Sequence, residues 1–359
     1  MVIITLIIMA GLSLDERFMQ EALSLATKGW GRTGINPLVG AVVVKDNQII
    51  GRGFHRRIGE AHAEVIALIE AGFRAYGSTL YVTLEPCSCT GRTPPCVEAI
   101  LRAGVKRVVI GMYDPNPDVN KQGEKFLLEH NINVSVGIFE KQAQDLNRFY
   151  RKYITKKIPY AIIKLAVSQD GRISGFPQKY ITNEKSLRFV HSLRGQVDAV
   201  LVGINTILKD DPYLTDRYVG RHNPARIVID PHLKIPMTAN ILKDDARRII
   251  ITSEKENVKK ARCLKDVGVE MVFLSGDYYQ LKNVFEILGR MNISSIMVEG
   301  GGILFSQFLS KKMYDELYIF VASKSVNAGI DFLKENNIDL TELPAVEFGE
   351  DKLYVYRNN

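Results

Sequence analysis

Only four cysteines and one tryptophan occur among the 359 residues, and no stretch gathers a long run of basic or of apolar side chains. Each scarcity closes a route. Three of the cysteines, Cys87, Cys89 and Cys96, crowd into one short stretch, while Cys263 stands alone in a charged, helical context. That is metal or redox spacing and excludes a secreted disulfide framework. The net charge of +7 is spread over scattered pairs such as Arg56 and Arg57, Lys156 and Lys157, and Lys259 and Lys260. Such charge reads first as solubility charge and second as suited to small anionic ligands; with no basic arm and no aromatic stacking platform, nucleic acid is not expected as a partner. The apolar opening MVIITLIIMAG carries no basic residue and falls well short of the ~20 residues needed to cross a bilayer. It reads as a short extension or an upstream start, with Met9 an equal candidate, and the chain is expected to be cytoplasmic with no membrane partner. Neither GRGFHR nor GGGILF completes G-x-G-x-x-G, so a Rossmann dinucleotide site is not supported.

What is present is an ordinary globular composition, with 46% hydrophobic and 24% charged residues. A chain of this length is expected to form two domains. From Asp15 to Gly29 the apolar positions follow a helical period, with Ser13 placed to cap it. LVGAVVVKDNQIIGRGFH predicts two strands joined by a tight turn at Asp46 and Asn47. A helix over 62–72 follows, then strand STLYVTLEP, a helix opened by Pro94 and Pro95, strand VKRVVIGM, and a last helix and strand ending near residue 138. Apolar β-branched strands alternating with helices indicate a sheet covered on both faces. FYRKYITKKIPY, at 149–160, interrupts the pattern, and the boundary is placed there. The second half is again α/β, with more strands per helix: YAIIKLAVSQDG, AVLVGI, ARIVID, RRIIITS, SSIMVEG, ELYIFVAS and KLYVYR.

The chemistry concentrates in the first half. A catalytic zinc takes three nitrogen or sulfur ligands and leaves its fourth position to water. His62 in AHAE, Cys87 in EPC, and one further cysteine supply such a set. The further one is Cys89 or Cys96. Cys89 has only Ser88 between it and Cys87, which strains joint ligation of a tetrahedral ion, so Cys96 is favoured. Glu64 stands two residues beyond His62, where it can move protons without ligating the metal. H-x-E followed by a Pro-Cys element is the pattern of zinc deaminases. One rival is a purely structural metal with Cys89 as fourth ligand. Another is a nucleoside or RNA zinc deaminase fused to an unrelated domain.

NPLVGAVVV, GFH, AHAE, VTLEPCSCTGRTPPC and GMYDPNP, in this order, resemble the deaminase domain of the bifunctional riboflavin-biosynthesis deaminase/reductase family. KLAVSQDGRIS, YIT, LRGQVDAVLVGINTILKDDPYLTDR, RIVID and VEGGG resemble its reductase domain. The likeness spans nearly the whole chain, apart from roughly its first dozen residues and the region from about 236 to 290.

The resemblance implies a cytidine-deaminase-like three-layer α/β domain over 13–150 and a dihydrofolate-reductase-like α/β domain over 157–359. It implies zinc-dependent hydrolytic deamination of 2,5-diamino-6-ribosylamino-4(3H)-pyrimidinone 5′-phosphate, then NADPH-dependent reduction of the ribosyl group to a ribityl chain. It supports Cys96 as the third ligand and places Asn36, Asp114 and Asn116 around the pyrimidine.

In the second half the resemblance implies that Val167, Tyr180, Thr206, Asp210, Gly301 and Gly302 contact NADPH. Taken alone the glycines after Glu299 read as a turn, but they can also let backbone N–H groups approach a pyrophosphate at a helix start. Gln178, Arg194, Leu214, Arg217 and Glu299 would hold substrate, the arginines suiting its phosphate. Lys164 and Asp170 could be catalytic neighbours or scaffold. Two positions depart from the family pattern: Cys89 stands where it has histidine, and Tyr180 where it has tryptophan after a longer loop. A homo-oligomer is the default expectation.

Overall fold

The computed structural model describes residues 11–91, 93–175, 181–218, 220, 222–244, 246–253, 257–274 and 280–358. The chain divides into two compact units, Met1–Lys157 and Ile158–Asn359.

In the first unit the strands β1 (Gly40–Lys45), β2 (Gln48–Phe54), β3 (Thr79–Leu84), β4 (Arg107–Met112) and β5 (Asn133–Val136) form one sheet in the order β2-β1-β3-β4-β5. The helices are α1 (Leu14–Ala26), α2 (Ala63–Ala71), α3 (Cys96–Arg102), α4 (Gln122–Glu129), α5 (Glu140–Leu146) and α6 (Arg148–Lys156). Ser13 starts α1 with a capping box, its hydroxyl accepting from the Glu16 N–H while the Glu16 carboxylate accepts from the Ser13 N–H. The β1–β2 turn is made by Asp46 and Asn47, both left-handed (φ 50° and 59°), as a two-residue hairpin loop requires.

Glycine decides how close the helices sit. A Cβ on Gly40 would lie 1.9 Å from the Ala22 carbonyl oxygen of α1, and one on Gly53 would lie 2.0 Å from the Ala63 oxygen of α2. Gly53 pairs with Ala41 across the β1–β2 ladder. Neighbouring residues of a strand face opposite sides, so α1 and α2 cover opposite faces and the unit has three layers. The bare backbone at Gly53 therefore seats the first turn of α2, the turn that carries His62 and Glu64. The stretch expected to interrupt the pattern after residue 149 is instead helical: α6 buries Arg148, Phe149, Tyr150 and Tyr153. Its apolar residues recur at helical spacing, which the flanking lysines obscure.

The second unit is built on a nine-stranded sheet. Its strands are β6 (Tyr160–Val167), β7 (Ala199–Gly203), β8 (Ala225–Ile229), β9 (Arg248–Ser253), β10 (Val269–Leu274), β11 (Ser295–Val298), β12 (Glu316–Val321), β13 (Ala345–Phe348) and β14 (Asp351–Arg357). Its helices are α7 (Glu184–Arg194), α8 (Ile204–Asp210), α9 (Val258–Asp266), α10 (Leu281–Arg290), α11 (Gly302–Ser310) and α12 (Phe332–Glu335). The order is β10-β9-β8-β7-β11-β6-β12-β14-β13. It is parallel from β10 to β12, with β14 and β13 antiparallel at one edge. Alternate residues of β6, namely Ala161, Ile163, Leu165 and Val167, pack with Phe285, Phe305 and Phe308 in one buried core. Burial of each such side chain is worth about 1.5–3 kcal/mol. Because β7, β11 and β6 are adjacent and parallel, their carboxyl ends open on the same side, where ligands settle in sheets of this kind.

Candidate functional site

His62 is the N-cap of α2 and adopts extended backbone (φ −72°, ψ 160°). Cys96 opens α3 directly after Pro95, so two helix starts face each other. Cys87 is fastened to the second of them: its sulfur accepts from the Cys96 N–H at 3.4 Å and its carbonyl from the Val97 N–H at 3.3 Å. The His62 Nδ1 lies 3.1 Å from Cys96 Sγ and 3.6 Å from Cys87 Sγ. All three donor atoms fall within 4.8 Å of one another. The other ring nitrogen, Nε2, meets Thr93 Oγ1 at 3.3 Å, the kind of second contact that fixes the orientation of a ligating imidazole. Cys89 is exposed and lies outside this group.

The electrostatics match a metal-ligand set. Hydrogen bonds from the Cys96 thiol, the His62 ring and the Cys96 N–H overcome burial and pull the Cys87 thiol well below the usual range, while the same pairing pushes Cys96 up. Glu64, in the first turn of α2, is buried, and that burial lifts its carboxyl to about 7. A nitrogen and two sulfurs at this spacing form the donor set that zinc prefers.

Around this group, Asn36 Nδ2 lies 3.1 Å from His55 Nε2, and His55 is buried with its ring edge-on to His62. Asp114 is buried after β4. Its Oδ1 accepts from the Asn116 N–H at 2.8 Å and from the Tyr150 hydroxyl at 2.9 Å. Burial pushes its carboxyl up, opposed by those two bonds. The Asn116 side chain accepts from the Asp118 N–H. Glu85, two residues before Cys87, is buried and accepts from the N–H groups of Asp114, Lys121, Gly123 and Glu124 at 2.9 to 3.3 Å. His55, Glu85, Thr93 and Tyr150 carried no assigned role in the sequence reading. Their partners are distant in the chain, and the signal available, GFH and the Glu of EPC, named residues without naming contacts.

In the second unit the carboxyl ends of β6, β7 and β11 collect the other candidates. Gly301 caps α11 with no side-chain bond, and a Cβ there would meet nothing within 4 Å. Gly300 is left-handed (φ 113°), and a Cβ on it would strike Thr206 Oγ1 at 2.3 Å. The Thr206 hydroxyl accepts from the Gly301 N–H at 3.3 Å. These are the features of a phosphate cradle at a helix start. Val167 is fully buried at the end of β6, and Asp210 is exposed at the end of α8.

Arg194 and Glu299 face each other rather than standing apart, joined by two bonds of 2.7 and 2.8 Å. Burial works against the Glu299 charge, but Arg194 and Lys164 hold its carboxyl below the usual range. Burial lowers the Lys164 ammonium, with Glu299 pulling the other way. Arg194 also donates to the Thr215 carbonyl at 3.3 Å, and the Arg217 N–H donates to His191 Nδ1 at 3.2 Å. The segment carrying buried Leu214 and exposed Arg217 is thereby tied to α7. The Asp170 carboxylate accepts from the N–H groups of Val326 and Asn327, both at 3.0 Å, which ties the turn after β6 to that loop. Gln178 and Tyr180 lie outside the described residues.

Residues 12–112 match the family model of the cytidine and deoxycytidylate deaminase zinc-binding region, and residues 159–342 match that of the RibD C-terminal domain. The riboflavin biosynthesis protein RibD of Aquifex aeolicus is 44% identical over 320 residues, covering 88% of this chain and 89% of that protein. RibD of Escherichia coli is 37% identical over 325 residues, covering 86% and 88%. Among solved structures, the diaminohydroxyphosphoribosylaminopyrimidine deaminase/5-amino-6-(5-phosphoribosylamino)uracil reductase of Thermotoga maritima matches with a TM-score of 0.85 at 37% identity, covering 96% of this chain and 98% of that one. Among the described residues no helix is long and apolar enough to cross a membrane.

Proposed function

The chain belongs to the RibD family of riboflavin-biosynthesis proteins, a deaminase and a reductase in one polypeptide, and from that premise we propose which of its residues perform each step. Deamination falls to residues 13–150 and reduction to 157–359. The first substrate is the phosphorylated diaminopyrimidine named for the Thermotoga relative, and the second is the phosphoribosylaminouracil it yields.

His62, Cys87 and Cys96 hold zinc, which when bound supplies Lewis acidity and activates water toward the amino-bearing carbon. Glu64 takes the proton from the attacking water and delivers it to the departing ammonia. Its burial favours the protonated carboxyl, so a proton taken up there is held for the departing ammonia. Asn36, Asp114 and Asn116 orient the pyrimidine. The observation that carries the reading is the meeting of His62, Cys87 and Cys96 with the buried Glu64 in the first turn of α2.

For the second step, Gly301 and Gly302 bring the start of α11 to the phosphates of NADPH, the Gly301 N–H resting on Thr206 and the Gly302 N–H facing the cofactor. Thr206 keeps the glycine loop in place, Asp210 and Val167 flank the cofactor, and Tyr180 takes the nicotinamide end. Arg217 seats the substrate phosphate. Glu299, aimed by Arg194, accepts from substrate hydroxyls, and Gln178 and Leu214 complete that site. These residues bring the cofactor carbon against the ribosyl carbon and exclude water.

The test is a coupled assay on the phosphorylated diaminopyrimidine that follows ammonia release and NADPH oxidation separately. Both signals are expected, ammonia first. Turnover of cytidine or an RNA hairpin without turnover of the diaminopyrimidine phosphate overturns the reading.

A further inference from the structure

Asp114 is held from three directions. Its N–H donates to Glu85 Oε2 at 3.2 Å, its Oδ1 accepts from the Asn116 N–H at 2.8 Å, and the same oxygen accepts from the Tyr150 hydroxyl at 2.9 Å. Oδ1 has thus used both its lone pairs. Among the described residues no donor is recorded on Oδ2. The residue is buried, yet Oδ2 is not among the sealed side-chain atoms that lack a partner, so this oxygen stays open to a ligand. Asp114 lies within electrostatic reach of Cys87, and its N–H is held by Glu85, two residues before that cysteine.

Tyr150 comes from α6, an element that contributes no other residue to the proposed site. Its phenol is buried, and burial together with the Asp114 charge pushes its ionisation well above the usual tyrosine range. It therefore remains a donor at every working pH. The Asn116 bond comes from the same loop as Asp114 and moves with it. The Tyr150 bond comes from a helix packed in the core and ties the carboxylate to a fixed body.

We infer that Tyr150 is a positioning residue for deamination: it pins Oδ1 of Asp114 so that Oδ2 is presented to an N–H donor of the pyrimidine. This rests on the reading that Asp114 meets the pyrimidine. Without the phenol the carboxylate can turn about its Cα–Cβ bond, and substrate binding must first order it again.

The experiment uses the full zinc-loaded chain and steady-state ammonia release by Tyr150→Phe, Asp114→Asn and the double variant. Tyr150→Phe is expected to raise the deaminase KM about tenfold, the weight of one such hydrogen bond. Its kcat, its zinc content and its reductase rate stay near those of the parent. In the double variant the Tyr150 change is expected to add nothing to the loss caused by Asp114→Asn, since both act through one contact. Tyr150→4-aminophenylalanine, whose amine donates from the position of the hydroxyl, is expected to recover most of the lost affinity.

An unchanged KM in Tyr150→Phe overturns the inference, and so does a loss that multiplies on the Asp114→Asn background, which marks mere packing. Should Tyr150→Phe fail to fold, Tyr150→4-aminophenylalanine decides alone: a KM near that of the parent supports the inference, and a rise of tenfold or more at full zinc content sinks it. An unchanged KM in Asp114→Asn instead removes Asp114 from the substrate site, a result distinct from failure at Tyr150.

Discussion

A glutamate sealed from water beside two thiols and an imidazole has few occupations other than moving protons. Glu64 is held in the first turn of α2, where its charge is costly until a cation or a proton shares the pocket. Glu64→Gln keeps the shape and removes the basicity. Deaminase kcat is expected to fall at least about 100-fold, the usual weight of general acid-base catalysis, with zinc content and reductase turnover retained. Metal analysis beside the two rate assays checks it, and full deaminase turnover in a zinc-loaded Glu64→Gln chain removes Glu64 from the mechanism. The residues that hold a metal are the kind a sequence displays well, since few side chain types can ligate zinc and their spacing is constrained. His62, Cys87 and Cys96 could be singled out for that reason, and the structure brings them within reach of one another. Residues that orient others are hidden. Glu85 collects four backbone N–H groups, and His55 meets Asn36 nineteen positions away. Nothing in their local spacing announces such partners.

Elements were legible where local chemistry dictates them. The Ser13 capping box, the left-handed pair Asp46 and Asn47, and the prolines before Cys96 each mark a boundary by a short-range rule. Strand order was not legible, because the insertion of β11 between β7 and β6 depends on pairing with strands that lie far back in the chain, Ile296 with Ala199 and Ser295 with Tyr160. Helix seating is similarly non-local. Gly53→Ala pushes a methyl group against the α2 backbone, and the expected result is a loss of about 1–3 kcal/mol, as for other overpacked cores, together with weaker zinc binding, read by urea unfolding and metal titration. A Gly53→Ala chain as stable as its parent contradicts this account of how α2 is placed. On α7, burial first and then Arg194 and Arg217 pull His191 down to about 4. The ring is neutral in the folded chain and accepts from the Arg217 N–H, whereas the unfolded chain protonates it near pH 6.5. Its contribution is complete above about 6.5 and is lost progressively as the pH falls toward 4, because the unfolded state binds the extra proton. Unfolding of the second unit, followed from pH 8 to 4, is expected to show that decline, and His191→Gln to flatten it.

At the scale of the whole chain, a five-stranded and a nine-stranded sheet share no strand, and the metal-ligand group belongs entirely to the first. A strong chelator is therefore expected to abolish ammonia release while NADPH oxidation continues when the deaminated substrate is supplied directly. Equal loss of both activities would mean that the second unit also needs the metal. The placement of His62 and Cys96 at the starts of α2 and α3 has a consequence for endurance. An ion bound only by the folded form adds about 2.7 kcal/mol at a hundredfold excess over its dissociation constant, and here the ligand group belongs to the first unit. Under zinc starvation that support would be withdrawn where ammonia is released, so micronutrient supply would bear on the earlier of the two steps.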